Sequence, residues 1–279
     1  MKFEHYSSYD ARVSSHTIPA LATIWPKLGD FYDDLVVVGG LVPHFICSHP
    51  ASAPNPPVTL DVDLGISIHT SAGQYESVAT RLRNAGFLQS GTETHRYQKL
   101  VGTSPLYVDF LTDYGSNRVG AVVVDDVTAS CLPGIDRALV TAREINFKAT
   151  DLYGATQPLR LRVCDAGAFL VLKLRAFLLR REPKDAFDIL YTLQHYDKGR
   201  EAAIKSFCVE RDARNPAFLD AEKALKELYD NENSPGPFYA ANFLTGGLGD
   251  TPSQTTREEH MAIRQNALVL AASLRRALD

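Results

Sequence analysis

Two acidic side chains stand two positions apart within the apolar run TLDVDLGI, residues 59–66. Its alternation predicts a β-strand over Thr59–Ile68, with Asp61 and Asp63 on one face and the apolar side chains on the other. Carboxylates about 7 Å apart on one face repel each other unless a cation lies between them. Hard oxygen ligands suit Mg²⁺, so the pattern indicates a metal site. The solvent-facing side of a half-exposed strand would show the same pattern.

A third acid, Asp109, lies in the apolar segment LYVDFL, residues 106–111, which also predicts a strand. If the two strands are neighbours in a sheet, their three carboxylates converge on one or two metal ions.

The segment VVVGG, residues 36–40, predicts a buried strand that runs into a turn at Gly39 and Gly40. Glycines let the backbone approach phosphate oxygens closely, although a plain tight turn needs glycine as well. A glycine turn followed by a strand with two aspartates is more specific. Triphosphate on the turn and metal on the carboxylates are the two halves of a nucleotidyl-transfer site.

The helical segment 167–190 contains Lys173 among apolar side chains, where an ammonium is costly unless it has a partner. Arg180 lies about two turns further along the same face. These cations could bind triphosphate or RNA phosphates, or Lys173 could extend along the apolar surface into water. Asp185 could orient Lys173, join a polar site or cap the next helix, on which Asp188 shares its face.

Five segments of the chain together resemble the AbiEii-type toxin nucleotidyltransferases of the DNA polymerase β-like superfamily. The resemblance runs in order from about residue 30 to 196, and T-x-D-x-D and K-L-x-A…R…K-D-x-x-D are its most specific parts. It implies an α+β fold, in which a polymerase β-like nucleotidyltransferase lobe with a mixed sheet and flanking helices precedes an all-helical lobe. The segments are VVVGG (36–40), TLDVDL (59–64), YVDF (107–110), LKLRAFLLR (172–180) and KDAFDIL (184–190).

The resemblance also implies an Mg²⁺-dependent enzyme that transfers a nucleotide from an NTP. In some relatives the acceptor is the 3′ end of tRNA, and an antitoxin protein accompanies the toxin. By position, Gly39 and Gly40 would hold the triphosphate, Asp61 and Asp63 would bind the metal, and Asp109 would be the superfamily's third carboxylate.

In the helical lobe, the resemblance matches Lys173 and Asp185 to the family's functional lysine and aspartate. Arg180 would join Lys173 in offsetting the charge of the triphosphate. The chain departs from the resembled pattern at Leu41, where many superfamily members have a small or hydroxyl residue, and in the proline-rich loop 48–57, which lengthens the interval from Gly40 to Asp61.

Composition excludes several classes of protein. The 279 residues carry a net charge of −4, which excludes a globally basic nucleic-acid-binding protein. The four cysteines form no C-x-x-C pair, so neither a zinc ribbon nor a disulfide framework is expected. Because the N-terminus has no apolar leader and no long apolar run occurs, we expect a cytoplasmic protein without a membrane partner.

Periodicity and turn residues predict an α/β lobe at 1–160 and a helical lobe at 161–279. Residues 231–256, rich in Gly, Pro, Asn, Ser and Thr, are expected to form a long loop. Two other functions stay open: nucleotidyl transfer to a small molecule or a protein side chain, and a catalytically silent binding module of the same fold. The remaining predicted helices are 16–28, 41–48, 72–85, 134–144, 165–181, 184–196, 199–207, 216–230 and 257–278, and the remaining strands 95–101, 105–111, 120–124, 145–149 and 159–163.

Overall fold

The computed structural model of the chain describes residues 4–9, 16–51, 59, 61–67, 77–113, 120–124, 127–249 and 252–278. The chain divides into two compact units, which we call the α/β unit and the helical unit. The domain boundary near residue 160 stays a prediction. The α/β unit consists of Ala11–Phe45 and Val58–Asp165, and the helical unit of Met1–Asp10, Ile46–Pro57 and Ala166–Asp279.

Nine strands in the described residues form one mixed sheet in the α/β unit. They are β1 (Leu35–Val38), β2 (Asp61–Ile66), β3 (Leu88–Gln89), β4 (Arg96–Val101), β5 (Ser104–Thr112), β6 (Ala121–Val124), β7 (Val127–Cys131), β8 (Arg143–Thr150) and β9 (Thr156–Val163). Seven lie side by side in the order β3-β4-β5-β2-β1-β9-β8, while β7 pairs with the end of β5 and with β6. The pairs β1/β9, β2/β5 and β5/β7 are parallel and the others antiparallel.

The apolar residues of the two central strands, β1 and β2, are buried in the sheet. All four residues of β1 are buried, and in β2 the apolar Val62 and Leu64 are fully buried between half-buried aspartates. The helices of this unit are α1 (Thr17–Ile24), α2 (Val42–Ile46), α3 (Val78–Asn84) and α4 (Ile135–Val140), with 3-10 turns at Trp25–Asp34 and Gly39–Leu41.

The helical unit packs around an apolar and aromatic core. Phe187 contacts Tyr6 and Phe243 in this core. A side chain at Gly167 would overlap the backbone of Ser206, so this glycine allows two helices to approach closely. The helices of this unit are α5 (Ala166–Arg180), α6 (Pro183–His195), α7 (Arg200–Asp212), α8 (Phe218–Leu228), α9 (Pro235–Thr245) and α10 (Gln254–Arg276).

The expectation of a loop throughout residues 231–256 is wrong, because α9 lies inside that segment. Its prolines occupy the first turn, where the backbone N–H groups have no helical partner and proline is tolerated. The apolar residues that follow are largely buried, and Gly246 ends the helix in a left-handed conformation. Composition alone concealed a helix that begins with proline and ends with glycine.

Two of the predicted elements extend into residues that the structure does not describe. The strand predicted over Thr59–Ile68 is observed as β2, while Leu60 and Ile68 lie outside the described residues. The helix predicted over 72–85 is observed as α3, and residues 71–76 likewise lie outside them. The α+β fold class, with a mixed sheet and a helical region, is confirmed.

None of the helices within the described ranges combines the length and the apolar character needed to cross a membrane.

Candidate active site

The two acidic segments found in the sequence lie on neighbouring strands. β2 and β5 run parallel, and their register places Asp63 directly beside Asp109 and Asp61 beside Tyr107. Since side chains alternate along a strand, Asp61, Asp63 and Asp109 all project from the same face of the sheet.

The three carboxylates form a compact cluster, which we call the acidic triad. One oxygen from each of Asp61, Asp63 and Asp109 lies within 4.8 Å of the other two. Asp109 is buried, whereas Asp61 and Asp63 are half-buried. Three negative charges at this separation repel one another, and a divalent cation bound by their hard oxygen atoms would relieve the repulsion. The donor set therefore fits Mg²⁺.

The backbone at Gly39 lies against the acidic triad. Val38, the last residue of β1, is the antiparallel partner of Asp63, and the chain then turns at Gly39 with φ of +69°. A Cβ atom at Gly39 would overlap the carboxylate of Asp63. Glycine is thus required here for two reasons, the left-handed backbone and the space that Asp63 occupies.

The residues after Gly39 turn inward. Gly40 is buried, and the side chain of Leu41 is fully buried, so Leu41 serves packing. Farther along the acid-bearing face of β2, the lack of a side chain at Gly65 makes room for Ile135 of α4. This face is therefore covered at Gly65 and carries the acidic triad at its other end.

Arg96 on β4 binds the third carboxylate. It is the antiparallel partner of Asp109, and its Nε and Nη2 donate to the two oxygens of Asp109 at 2.8 and 2.7 Å. The hydrogen bonds with Asp109 raise the pKa of the Arg96 guanidinium further above its usual value. The acidic triad and Arg96 together carry a net charge of −2.

The candidate residues of the helical unit form a second cluster, which we call the charged network. Lys173 of α5 contacts Asp185 at 3.0 Å and Asp188 at 2.6 Å, both on α6. Arg180 donates to both oxygens of Asp185 at 2.6 and 2.7 Å, and Lys184 donates to both oxygens of Asp188. Lys173 therefore does not extend into water; it is buried and paired with two carboxylates.

For each of the two lysines, burial lowers the pKa and the neighbouring carboxylates raise it. Burial favours the neutral form of Lys173, but the carboxylates of Asp188 and Asp185 outweigh it and raise its pKa. For Lys184, burial outweighs the attraction of Asp188 and lowers the pKa. The five side chains of the charged network carry a net charge of +1, and Arg180, with 44% of its side chain exposed, is the member in contact with solvent.

The structure thus brings the sequence candidates together in two groups. Gly39 lies with the acidic triad in the α/β unit, and Lys173, Arg180 and Asp185 lie together in the helical unit.

Sequence reasoning missed two members of these groups, Arg96 and Lys184. Lys184 had a usable signal, because Lys and Asp four residues apart on a helix are neighbours, as Lys184 and Asp188 are. The sequence contains no local signal for Arg96, because its contact with Asp109 depends on the register of β4 against β5.

Comparison with known proteins bears on the same residues. A family model described as nucleotidyl transferase AbiEii toxin, type IV TA system, matches residues 58–265, which include the acidic triad and the charged network. The chain belongs to this family. The resemblance seen in the sequence is therefore confirmed, and the AbiEii family is one of nucleotidyltransferase toxins. No curated protein and no solved structure matches the chain significantly.

For this AbiEii-family protein, we predict that Gly39→Ala removes divalent-cation binding, because the new Cβ displaces the carboxylate of Asp63. Gly154→Ala is the matched control, since Gly154 also has a positive φ, +89°, but open space around its Cα. Mn²⁺ titration should show loss of binding only in Gly39→Ala. Urea unfolding should show that Gly39→Ala is at least about 1 kcal/mol less stable than Gly154→Ala. Equal behaviour of the two variants would contradict the close approach of Gly39 to Asp63.

A second prediction concerns the charged network. Asp188→Asn should lower the free energy of unfolding by about 3–5 kcal/mol, because the buried ammonium groups of Lys173 and Lys184 each lose a carboxylate partner. Glu222→Gln is the control. It breaks an exposed helical ion pair with Lys226 and should change the free energy of unfolding by less than about 0.5 kcal/mol. Chemical denaturation followed by circular dichroism measures the free energy of unfolding of both variants. If Asp188→Asn lost as little stability as Glu222→Gln, the charged network would not stabilise the helical unit.

Proposed function

We propose that this AbiEii-family protein transfers a nucleotide from an NTP to the 3′ end of an RNA acceptor, with tRNA as the acceptor. One observation carries the proposal: three carboxylates, in register on parallel strands, lie beside a glycine turn that approaches one of them closely. Membership in a family of nucleotidyltransferase toxins supports the reaction type.

Within the α/β unit, Asp61 and Asp63 bind Mg²⁺, and Asp109 acts as a third ligand or as the base for the attacking hydroxyl. The fit of the carboxylate oxygens to a hard divalent ion supports these roles. Gly39 and Gly40 present backbone to the triphosphate, because no side chain stands between them and the ligand.

In the reaction, the 3′-hydroxyl oxygen of the acceptor forms a bond to the α-phosphorus of the NTP. The bond from that phosphorus to the bridging oxygen breaks, pyrophosphate leaves with the electron pair, and the hydroxyl proton passes to a carboxylate or to water. Bound Mg²⁺ would supply a lowered hydroxyl pKa and charge stabilisation on the leaving pyrophosphate. The protein holds the ligating carboxylates in place through the strand register of Asp63 and Asp109.

The share of the helical unit in the reaction is a further part of the proposal. Lys173, Arg180 and Asp185 serve nucleotide binding: Arg180, the member in contact with solvent, offsets the charge of the triphosphate, and Lys173 acts through Asp185, which both cations contact. The net charge of +1 in the charged network and the exposure of Arg180 support this role. Asp185 bonds both Lys173 and Arg180 and thereby fixes the direction of the two cations.

The type IV toxin–antitoxin system that gives the family its description supports an antitoxin protein as partner. A cytoplasmic location, where NTP and tRNA are both available, is part of the same proposal.

The activity is tested by incubating the full chain with Mg²⁺, total cellular RNA and each α-labelled NTP in turn, followed by gel electrophoresis. We expect label in the tRNA band with at least one NTP. Asp61→Asn and Asp63→Asn should each lower the rate of labelling by at least about 100-fold, because each removes a charged metal ligand.

Asp30→Asn is the matched control for this experiment. Asp30 is an acidic residue of the same unit, but it is half-exposed and pairs with Arg81 on the surface. Its labelling should equal that of the wild type. Label found in a protein band or in a small molecule would contradict the RNA acceptor, and full labelling by Asp61→Asn and Asp63→Asn would contradict the site itself.

A further inference from the structure

A cavity of about 380 Å³ lies between α8 and α10 of the helical unit. Four of the seven residues that line it are charged: Glu222 and Lys226 of α8, and Arg275 and Arg276 of α10. These four side chains carry a net charge of +2, whereas the whole chain carries −4. The cavity, which we call the basic cavity, is therefore a positive site on a protein of net negative charge.

The fold does not use the charges of the two arginines. Glu222 accepts a hydrogen bond from Lys226 at 2.7 Å, so these two charges offset each other. Arg275 and Arg276 have neither a carboxylate partner nor a side-chain hydrogen bond among the described residues. Their guanidinium groups therefore keep their N–H donors for a ligand.

The end of α10 does not need these arginines as caps. Basic side chains in the last turn of a helix often bind the carbonyl groups at its end. Here Arg211 of α7 binds one of them, because its Nη1 donates to the carbonyl oxygen of Leu278 at 3.0 Å. The Sγ atom of Cys208, also on α7, lies 3.5 Å from the carbonyl oxygen of Ala277. These contacts leave the two arginines of α10 available.

The chemistry of the lining favours phosphate as the ligand. A guanidinium is planar and presents paired N–H groups that match the oxygens of a phosphate. The other three residues that line the cavity in the described chain are Leu225, Ala272 and Leu278, so the lining offers no aromatic ring on which a base could stack. A ligand bound through its phosphates alone is the backbone of a nucleic acid, whereas a nucleotide also needs a site for its base.

We propose that the basic cavity binds phosphate groups of the RNA backbone, without preference for sequence. The RNA is the acceptor of the proposed function, and the inference rests on that function for the identity of the nucleic acid. Arg275 and Arg276 bind the acceptor and take no part in the transfer itself.

The test measures the binding of labelled tRNA to the full chain by fluorescence anisotropy over a range of salt concentrations. Arg275→Gln/Arg276→Gln should bind tRNA at least about tenfold more weakly than the wild type near about 0.1 M salt, because two phosphate contacts are lost. The slope of the logarithm of the affinity against the logarithm of the salt concentration should fall in magnitude by about 1.5, since each phosphate contact contributes about 0.7–0.9 to it.

Lys223→Gln/Arg257→Gln is the matched control. It also removes one cation from α8 and one from α10, both residues are exposed, and neither lines the basic cavity. Its affinity for tRNA should stay within about twofold of the wild type, because salt screens exposed charges that do not contact the RNA. Equal weakening of the two double variants would show that only the overall charge of the protein acts on the RNA, and would overturn the inference.

Two further results would overturn the inference. One is binding of tRNA by Arg275→Gln/Arg276→Gln with the affinity of the wild type; a lower stability of this variant in urea would then show that the arginines serve only the end of α10. The other is a loss of inorganic triphosphate binding in this variant as large as its loss of tRNA binding, which would assign the basic cavity to the NTP.

The outcome for the proposed function is separate. Labelling of RNA by the wild type, with unchanged tRNA binding by the arginine variant, would support the transfer reaction and overturn this inference. Loss of tRNA binding and of salt dependence in the arginine variant, with no labelling of RNA by the wild type, would support the basic cavity and contradict the transfer reaction.

Discussion

Electrostatic repulsion among Asp61, Asp63 and Asp109 is the constraint on which the rest of the candidate site depends. The backbone hydrogen bonds of parallel strands fix which residues are neighbours, and here they place two aspartates side by side. The surrounding apolar side chains prevent the strands from separating, since Val62 and Val108 are fully buried beneath the acids. The fold therefore concentrates negative charge at a point where a bound divalent cation would relieve the repulsion.

Several neighbouring residues accommodate the negative charge of the acidic triad. Gly39 has no side chain because Asp63 occupies the space beside it. Arg96 neutralises the most buried of the three carboxylates, and Glu93 and the ring of Tyr107 hold Arg96 in place. In the helical unit the buried charges are positive, and the lysines of the charged network require the carboxylates of Asp185 and Asp188 as partners. In both units, a buried charge is tolerated because the fold holds an oppositely charged side chain beside it.

Features with a local pattern could be predicted from the sequence, whereas features that depend on pairing could not. The alternation around Asp61 and Asp63 predicted their shared face, because strand periodicity is visible in one segment. The bond between Arg96 and Asp109 depends on the hairpin register of β4 and β5, which the turn at Gly102 sets. The helix α9 was not predicted, because the loop-like composition of its segment was given more weight than Pro235, which is well tolerated in the first turn of a helix. The pairing of Lys173 with Asp188 joins two helices, so neither helix shows it alone.

The proposed chemistry requires the acidic triad to bind a metal ion. Crystals of the protein soaked with Mn²⁺, with data collected near the manganese absorption edge, would show whether it does. We expect an anomalous-scattering peak about 2.2 Å from oxygens of both Asp61 and Asp63. A peak elsewhere on the molecule, or none at a concentration that saturates known divalent-metal enzymes, would contradict it.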